Sequence, residues 1–345
     1  MNAGEIWSLP FAISAFAVAS ILILVFGVRM TRDAADLAAR SSLGDTLVGA
    51  LLLGITTSLP EIATSSTAAL DGHANLAVSN AIGSVAGQTV FLAIVDMTYR
   101  KANLEHAAAS AENLVLGTLL VVLLATVMIG VALPDVVAWH IHPATILLFA
   151  AYFKGLHMVS EVHTQPMWMP RRTRETDSED HADTTPGGRS LPGLWSSFAV
   201  GAALTAFSGW LLARAAVPIS IHSGLSETLV GGVLTGLAGS MPELVTALAA
   251  VRLGALSLAV GDILGGNCFD ALIVGFSDVL YTEGSVYTAA GPHLNFLLAL
   301  TTLLAAILLM GLVFREKHGV ANIGLESFLL LLLYIAGMAM LLIAP

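Results

Sequence analysis

The chain has 345 residues, 56% of them hydrophobic and only 11% charged, with a formal net charge of −10 at pH 7. Soluble domains carry roughly 25% charged residues, so this composition excludes an ordinary soluble fold. The negative balance argues against nucleic-acid binding, and the composition points to a lipid bilayer as partner with no protein partner implied. The lone cysteine, Cys268, excludes an intrachain disulfide.

A bilayer core of about 30 Å takes about 20 apolar residues per helix. No Lys or Arg precedes the first apolar run, so that run reads as a retained helix rather than a cleaved signal. Apolar segments follow at about 8–29, 44–70, 75–97, 113–132, 142–160, 193–215, 225–251, 255–281, 291–313 and 321–344. The second and seventh are interrupted by Pro60 and Pro242, and residues 98–112 read as a short interfacial helix. The expected architecture is an all-α membrane protein of ten transmembrane helices. Two five-helix halves, 1–160 and 193–345, flank residues 161–192, whose prolines, glycines and mixed charges read as a linker. Asp177, Glu179, Asp180 and Asp183 within it lack the spacing of a Ca²⁺-binding loop.

The basic residues orient this drawing. With the N-terminus outside, every Lys and Arg except Arg214 falls on an inside connection. The positive-inside rule therefore predicts both termini outside and the linker in the cytoplasm. The compact length and the missing presequence point to a cell (plasma or inner) membrane.

An internal repeat organises the chain. Residues 43–96 align without a gap on 225–278, and 18 of the 54 positions are identical. Shared Leu or Ala would mean little, but Ser58/Ser240, Pro60/Pro242, Glu61/Glu243, Gly83/Gly265 and Asp96/Asp278 are polar or conformationally special pairs inside apolar runs. Five helices per half is an odd number, so the halves have opposite orientation, the inverted-repeat arrangement that suits alternating access around a midplane site. Asp96 and Asp278 stand at expected helix ends, where a solvated or capping role is expected.

Glu61 and Glu243 are the centre of the chemistry. An ionised carboxylate at mid-bilayer costs at least about 2.5–3.5 kcal/mol and calls for a partner, a proton or a cation. Each follows a proline, whose missing N–H and kink free carbonyl oxygens beside the carboxylate. Ser58 and Ser240 lie three residues earlier on the same face, Thr57 adds a hydroxyl, and Gly239 offers only backbone. Carboxylate, carbonyl and hydroxyl oxygens form a hard-cation donor set. The third helix contributes Asn80, Ser84 and Gln88 at four-residue spacing, and the eighth contributes Asp262, Gly266 and Asp270, with Asn267 beside them. Two roles remain open for these stripes: lining a shared cation cavity, or interhelical hydrogen bonding with Asp270 a protonated structural acid.

Thr57-Ser58-Leu59-Pro60-Glu61 and Gly239-Ser240-Met241-Pro242-Glu243 resemble the two signature repeats of the cation/Ca²⁺ exchanger superfamily, especially its Na⁺/Ca²⁺ exchanger branch, as do Gly83-Ser84 and Gly265 through Asp270. The resemblance implies ten helices and Ca²⁺ exchange for Na⁺. It implies that Glu61, Glu243 and Asp270 ligate cations, with Thr57, Ser58, Ser240, Ser84 and carbonyls completing the sites, and that no cofactor is needed. Three positions depart from the family pattern: Gln88 stands where Asn is usual, Gly239 for Thr and Gly266 for Ser. An H⁺-coupled antiporter and a non-transporting sensor of the same fold are the related alternatives. Gly261-Asp262 faintly echoes an intramembrane aspartyl protease, but the required second motif is missing, and no enzymatic activity is expected.

Overall fold

The computed structural model describes residues 6–40, 54–99, 102–134, 141–171, 173, 190–289, 291–317 and 324–343. Those residues form helices and no strand. They are α1 (Leu9–Arg40), α2 (Leu59–Leu70), α3 (Ala74–Thr98), the short α4 (Leu104–Ala107), α5 (Ala111–Ala132), α6 (Pro143–Thr164), α7 (Leu191–Ser223), α9 (Met241–Arg252), α10 (Leu256–Leu280), the short α11 (Val286–Ala289), α12 (Pro292–Phe314) and α13 (Leu325–Ile343). Between α7 and α9 lies a composite helix, α8 (Glu227–Gly239), whose middle, Val230–Thr235, is π-helical. Among the described residues eight helices are long and apolar enough to cross a membrane, or nine if the pair α8 and α9, bent by 44°, is one span. The chain is a multi-pass α-helical membrane protein.

α3 and α10 pack against each other at the centre and are the most enclosed spans, 94% and 78% buried over their apolar windows. α2 and α8–α9 flank them. α5, α6, α12 and α13 close one side, while α1 and α7 pair on the other, against α2 and α9. Glycine permits the closest approach: a Cβ on Gly83 would collide with the backbone of Gly232, and one on Gly236 would stand 2.8 Å from the Ser84 nitrogen.

Both halves build their central hairpin alike. Ser58 and Ser240 break the helix with near-identical dihedrals, φ −82°, ψ 9° and φ −85°, ψ 5°. Pro60 and Pro242 then sit in the first turn of α2 and α9, where a missing N–H costs nothing. Both helices end at a left-handed glycine, Gly72 (φ +86°) and Gly254 (φ +83°). The following N–H groups of His73 and Ala255 bond back to Ala68 and Ala250, closing the same helix-ending motif twice.

Several expected boundaries move. α1 extends to Arg40, so Arg29 and Arg32 lie on a helix rather than in a connection, and α7 continues through Pro218 to Ser223. The interfacial helix expected at 98–112 contracts to α4. The expected linker begins as the last turn of α6, and its next residues dock on the bundle: Trp168, Met169 and Pro170 line a cavity of about 580 Å³ with Leu114, Leu309 and Leu312, and Arg315 Nη1 donates to the Arg171 carbonyl at 2.7 Å. Residues 172 and 174–189 of that linker, which include Asp177, Glu179, Asp180 and Asp183, lie outside the described residues, as does the start of the segment expected at 44–70. Arg214, the one basic residue expected on the outer side, pairs with Asp71 at 3.3 Å.

Candidate functional site

The first turns of α2 and α9 carry Glu61 and Glu243 into the interior, exposed by 0% and 3%. Glu61 Oε1 accepts a hydrogen bond from Ser240 Oγ at 3.0 Å, so the second repeat's serine serves the first repeat's glutamate. Gln88 Nε2, from α3, donates to the same Ser240 Oγ at 3.1 Å and to Asp270 Oδ2, on α10, at 2.7 Å. Ser58 lies beside Asp270, and the charges of Glu61 and Asp270 act on Glu243. Ser240 and Gln88 thus link Glu61 to Asp270 where α2, α3, α9 and α10 converge, with Glu243 nearby.

The oxygens of this cluster are poorly satisfied. Ser58 Oγ, Glu61 Oε2, Gln88 Oε1, both oxygens of Glu243, Asn267 Oδ1 and Asp270 Oδ1 are buried without a hydrogen-bond partner. Buried polar atoms are normally paired, and leaving a charged one bare costs well over 1–3 kcal/mol. Apart from the Ser58 hydroxyl, which lies beside Asp270, every bare atom here is a carboxylate or amide oxygen, and such a set answers to a hard cation. Among the described residues, no three Asp, Glu, His or Cys side chains already stand in metal-ligating geometry. Ser240 and Gln88 instead bridge from Glu61 to Asp270.

The expected stripes divide. Gln88 and Asp270 join the cluster, and Asn267 lies near it while donating to Thr89 Oγ1 at 3.1 Å. Asn80 does interhelical work: its amide donates to Ser65 Oγ at 2.9 Å, and its Oδ1 accepts from Thr235 Oγ1 at 2.6 Å. Ser84 Oγ bonds to the carbonyls of Asn80 and Gly236, and Thr57 Oγ1 to that of Gly54. Asp262 is half-buried and shares no hydrogen bond with the cluster.

The departures from the family pattern are sterically coupled to the site. A Cβ on Gly239 would lie 2.7 Å from Glu61 Oε1, so the glutamate occupies the space a threonine side chain would take. A Cβ on Gly266 would touch Gln88 Oε1 at 3.4 Å, so the longer Gln88 fills the room that the missing side chain leaves. Gly239 is therefore a spacer for Glu61.

Sequence reasoning missed the second role of the paired aspartates. Neither is solvated: both are fully buried. Asp96 Oδ1 accepts from the Leu104 N–H at 2.7 Å and Oδ2 from the Gly324 N–H at 3.2 Å. Asp278 accepts from the Val286 N–H at 3.2 Å and the His142 N–H at 2.9 Å, and also from Thr145 and Ser285. Leu104 and Val286 are separated by the repeat offset, as are His142 and Gly324. Each aspartate ties its own half's short helix to the last helix of the other half. The signal was present in the sequence as an offset that persists beyond residue 96, but without identical residues to mark it.

The family model described as sodium/calcium exchanger protein matches residues 11–157 and 193–343, nearly the whole chain in two blocks. The chain belongs to the sodium/calcium exchanger family. CaxA of Alkalimonas amylolytica, a protein named for an antiporter role, is 26% identical over 93% of this chain and 95% of its own length. The inner membrane protein YrbG of Escherichia coli is 26% identical over 86% of this chain and 88% of its own. Among solved structures, the H⁺/Ca²⁺ exchanger CAX has a TM-score of 0.69 at 11% identity, covering 96% of this chain and 86% of that one. A structure of the sodium-calcium exchanger NCX_Mj has a TM-score of 0.56 at 21% identity, covering 95% and 97%. At these identities the likeness shows the exchanger fold. Of the relatives named above, one is named as an antiporter and two as exchangers.

Proposed function

We propose that this exchanger-family protein moves Ca²⁺ out of the cell in exchange for Na⁺, using Glu61, Glu243 and Asp270 as shared cation ligands with Ser58, Ser240, Thr57 and Ser84 close by. The observation that carries the reading is the set of bare buried oxygens between α2, α3, α9 and α10. One divalent ion or several monovalent ions would neutralise the same carboxylates. An empty, charged site would be too costly to carry across the bilayer. Occupancy therefore gates the conformational change, which makes transport an exchange rather than a leak.

The reading includes ten helices in two inverted halves. The two aspartate clamps, each joining its own half to the other, support that pseudo-twofold plan. It also places both termini outside and the Arg315 end of the bundle in the cytoplasm, as the distribution of Lys and Arg indicates. α1 and α7, packed on one side of the core, are the elements that slide.

A second reading, H⁺ as counter-ion, is favoured by Gly239 and Gly266, which supply no hydroxyl oxygen to a Na⁺ site. One experiment separates the two: ⁴⁵Ca²⁺ uptake into proteoliposomes under an imposed Na⁺ gradient or an imposed pH gradient. Uptake driven by Na⁺ and abolished by Glu61→Gln or Glu243→Gln is the expected result. Uptake driven only by pH assigns the proton, and undiminished uptake in both variants refutes the site.

A further inference from the structure

Three carboxylates are buried together at the end of the bundle where α3 runs into α4 and α12 into α13, away from the central site. Asp96 is the saturated member. Glu105, in α4, is 2% exposed, and Glu326, in the first turn of α13, is 6% exposed. Ser327 Oγ donates to Glu105 Oε1 at 2.9 Å, but Glu105 Oε2 and Glu326 Oε2 are buried without a partner. Both bare oxygens face one small space. A Cβ built on Gly324 would lie 3.2 Å from Glu326 Oε2, 3.3 Å from Asn103 Nδ2 and 3.4 Å from Glu105 Oε2.

Two cationic groups at this end of the described residues have other partners. Arg315 donates to the carbonyls of Arg171 and His106, at 2.7 and 3.0 Å. His106 bonds through its ring nitrogens to the Arg315 carbonyl and Thr173. Burial, then the charges of Asp96 and Glu326, push the Glu105 carboxyl up to about 7. Among the described residues, no Lys, Arg or His hydrogen-bonds to either bare oxygen.

The opposite end of the same molecule serves as a control. There Asp278 makes the equivalent clamp, while the positions equivalent to Glu105 and Glu326 are Tyr287 and Ala144. Tyr287 completes that end with a neutral hydrogen bond to Thr145 at 3.2 Å. The clamp needs one carboxylate, and the fold closes without the other two. Two extra buried acids at one end only, each with a bare oxygen aimed at a common space, are costly without a counter-charge.

We propose that Glu105 and Glu326, backed by the charge of Asp96, form a second cation site that takes a hard divalent ion, Ca²⁺. Water would complete its oxygen shell. The ion would bind α4 to the start of α13, reinforcing the Asp96 clamp. On the orientation proposed above, this end faces the cytoplasm, so the site would report internal Ca²⁺ to the bundle.

The test uses the full-length Glu61→Gln/Glu243→Gln protein, in which the central site is disabled, so the outcome does not depend on the transport reading. Purified protein is titrated with CaCl₂ at alkaline pH, with ⁴⁵Ca²⁺ equilibrium dialysis and thermal unfolding as readouts. The expected result is one bound Ca²⁺ per chain and a Tm that rises with Ca²⁺ concentration by mass action. Adding Glu105→Gln or Glu326→Gln should weaken binding at least about tenfold, roughly the loss of one carboxylate ligand. A variant copying the opposite end, Glu105→Tyr with Glu326→Ala, should fold and show no Ca²⁺-dependent Tm shift. No binding up to about 10 mM Ca²⁺, beyond the weakest ordinary protein sites, overturns the proposal. So does binding that ignores these substitutions. A proton shared between the two glutamates would give the first of those outcomes.

Discussion

Gln88 and Asp270 are 182 residues apart, the repeat offset, and their side chains are hydrogen bonded, Nε2 to Oδ2, at 2.7 Å. Equivalent positions of the two halves therefore touch each other, as residues do on a pseudo-twofold axis. One is a neutral amide and the other a carboxylate, so the central site is asymmetric in charge although its scaffold is nearly symmetric.

That contact makes the departures at positions 88 and 266 interdependent. Gln88→Asn withdraws the amide by one methylene and breaks its bridge to Asp270 and Ser240, while a gap opens over Gly266. The single change should weaken apparent cation affinity about tenfold, the worth of one charged hydrogen bond. Combining it with Gly266→Ser refills the gap with a hydroxyl and should restore most of the loss. A double-mutant cycle on ⁴⁵Ca²⁺ uptake measures the coupling, and additive effects would show that the two positions act separately.

Gly239 makes a sharper steric prediction. Gly239→Ala places a Cβ 2.7 Å from Glu61 Oε1, so the carboxylate must move off Ser240. Overpacking of this kind costs about 1–3 kcal/mol. Uptake should fall more than tenfold in Gly239→Ala and further in Gly239→Thr. Normal uptake in Gly239→Thr would show that Glu61 has room this geometry denies it.

The aspartate clamps predict stability rather than transport effects. Asp278→Ala orphans the His142 and Val286 N–H groups and the Thr145 and Ser285 hydroxyls. Hydrogen bonds to a charged group are worth about 1.5–3 kcal/mol each. A loss of more than about 3 kcal/mol is expected, read as a fall in Tm in detergent. Asp96→Ala should do the same at the other end, and a Tm unchanged in both would remove the clamp from the account.

pH should act through His73, which joins the α2–α3 turn to the start of α8 by a 2.6 Å contact with Glu227. Its imidazole is raised above its ordinary value of 6.5, chiefly by the Glu227 hydrogen bond, with burial opposing and the Glu227 and Asp71 charges adding. A raised histidine stabilises fully below its unfolded value and loses that contribution as pH rises through the folded value. The pair should therefore contribute about 0.5–1 kcal/mol in mildly acidic solution and nothing well above neutrality. His73→Ala copies Ala255 at the equivalent position and should flatten this part of the Tm–pH profile. A profile identical to that of the parent would exclude His73 as its source.

Much of the centre was legible because buried charge in a bilayer is expensive and therefore conspicuous. Glu61, Glu243 and Asp270 stood out from apolar surroundings, and proline and glycine at matched offsets marked the breaks and turns around them. Asn80 and Ser84 read as well as Gln88 did; Asn80 reaches the Glu61 carbonyl as well as Ser65 and Thr235, and Ser84 bonds to the carbonyls of Asn80 and Gly236. Spacing identifies the face of one helix and not what lies opposite it. Glu105 and Glu326 were invisible as a pair because they stand 221 positions apart, Glu105 between apolar runs and Glu326 near the start of one, where an acid at a helix end draws no attention.

Composition and the 182-residue offset were enough to read a membrane protein with an internal repeat and to single out Glu61, Glu243 and Asp270, because hydropathy and repeated sequence are properties of the chain itself. Only the tertiary structure decided that Gly239 makes room for Glu61, that Gln88 fills the space over Gly266 and holds Asp270, and that each aspartate clamps the opposite half. Those relationships are contacts between helices far apart in sequence, and they depend on packing distances of a few ångströms that no periodicity along one helix encodes.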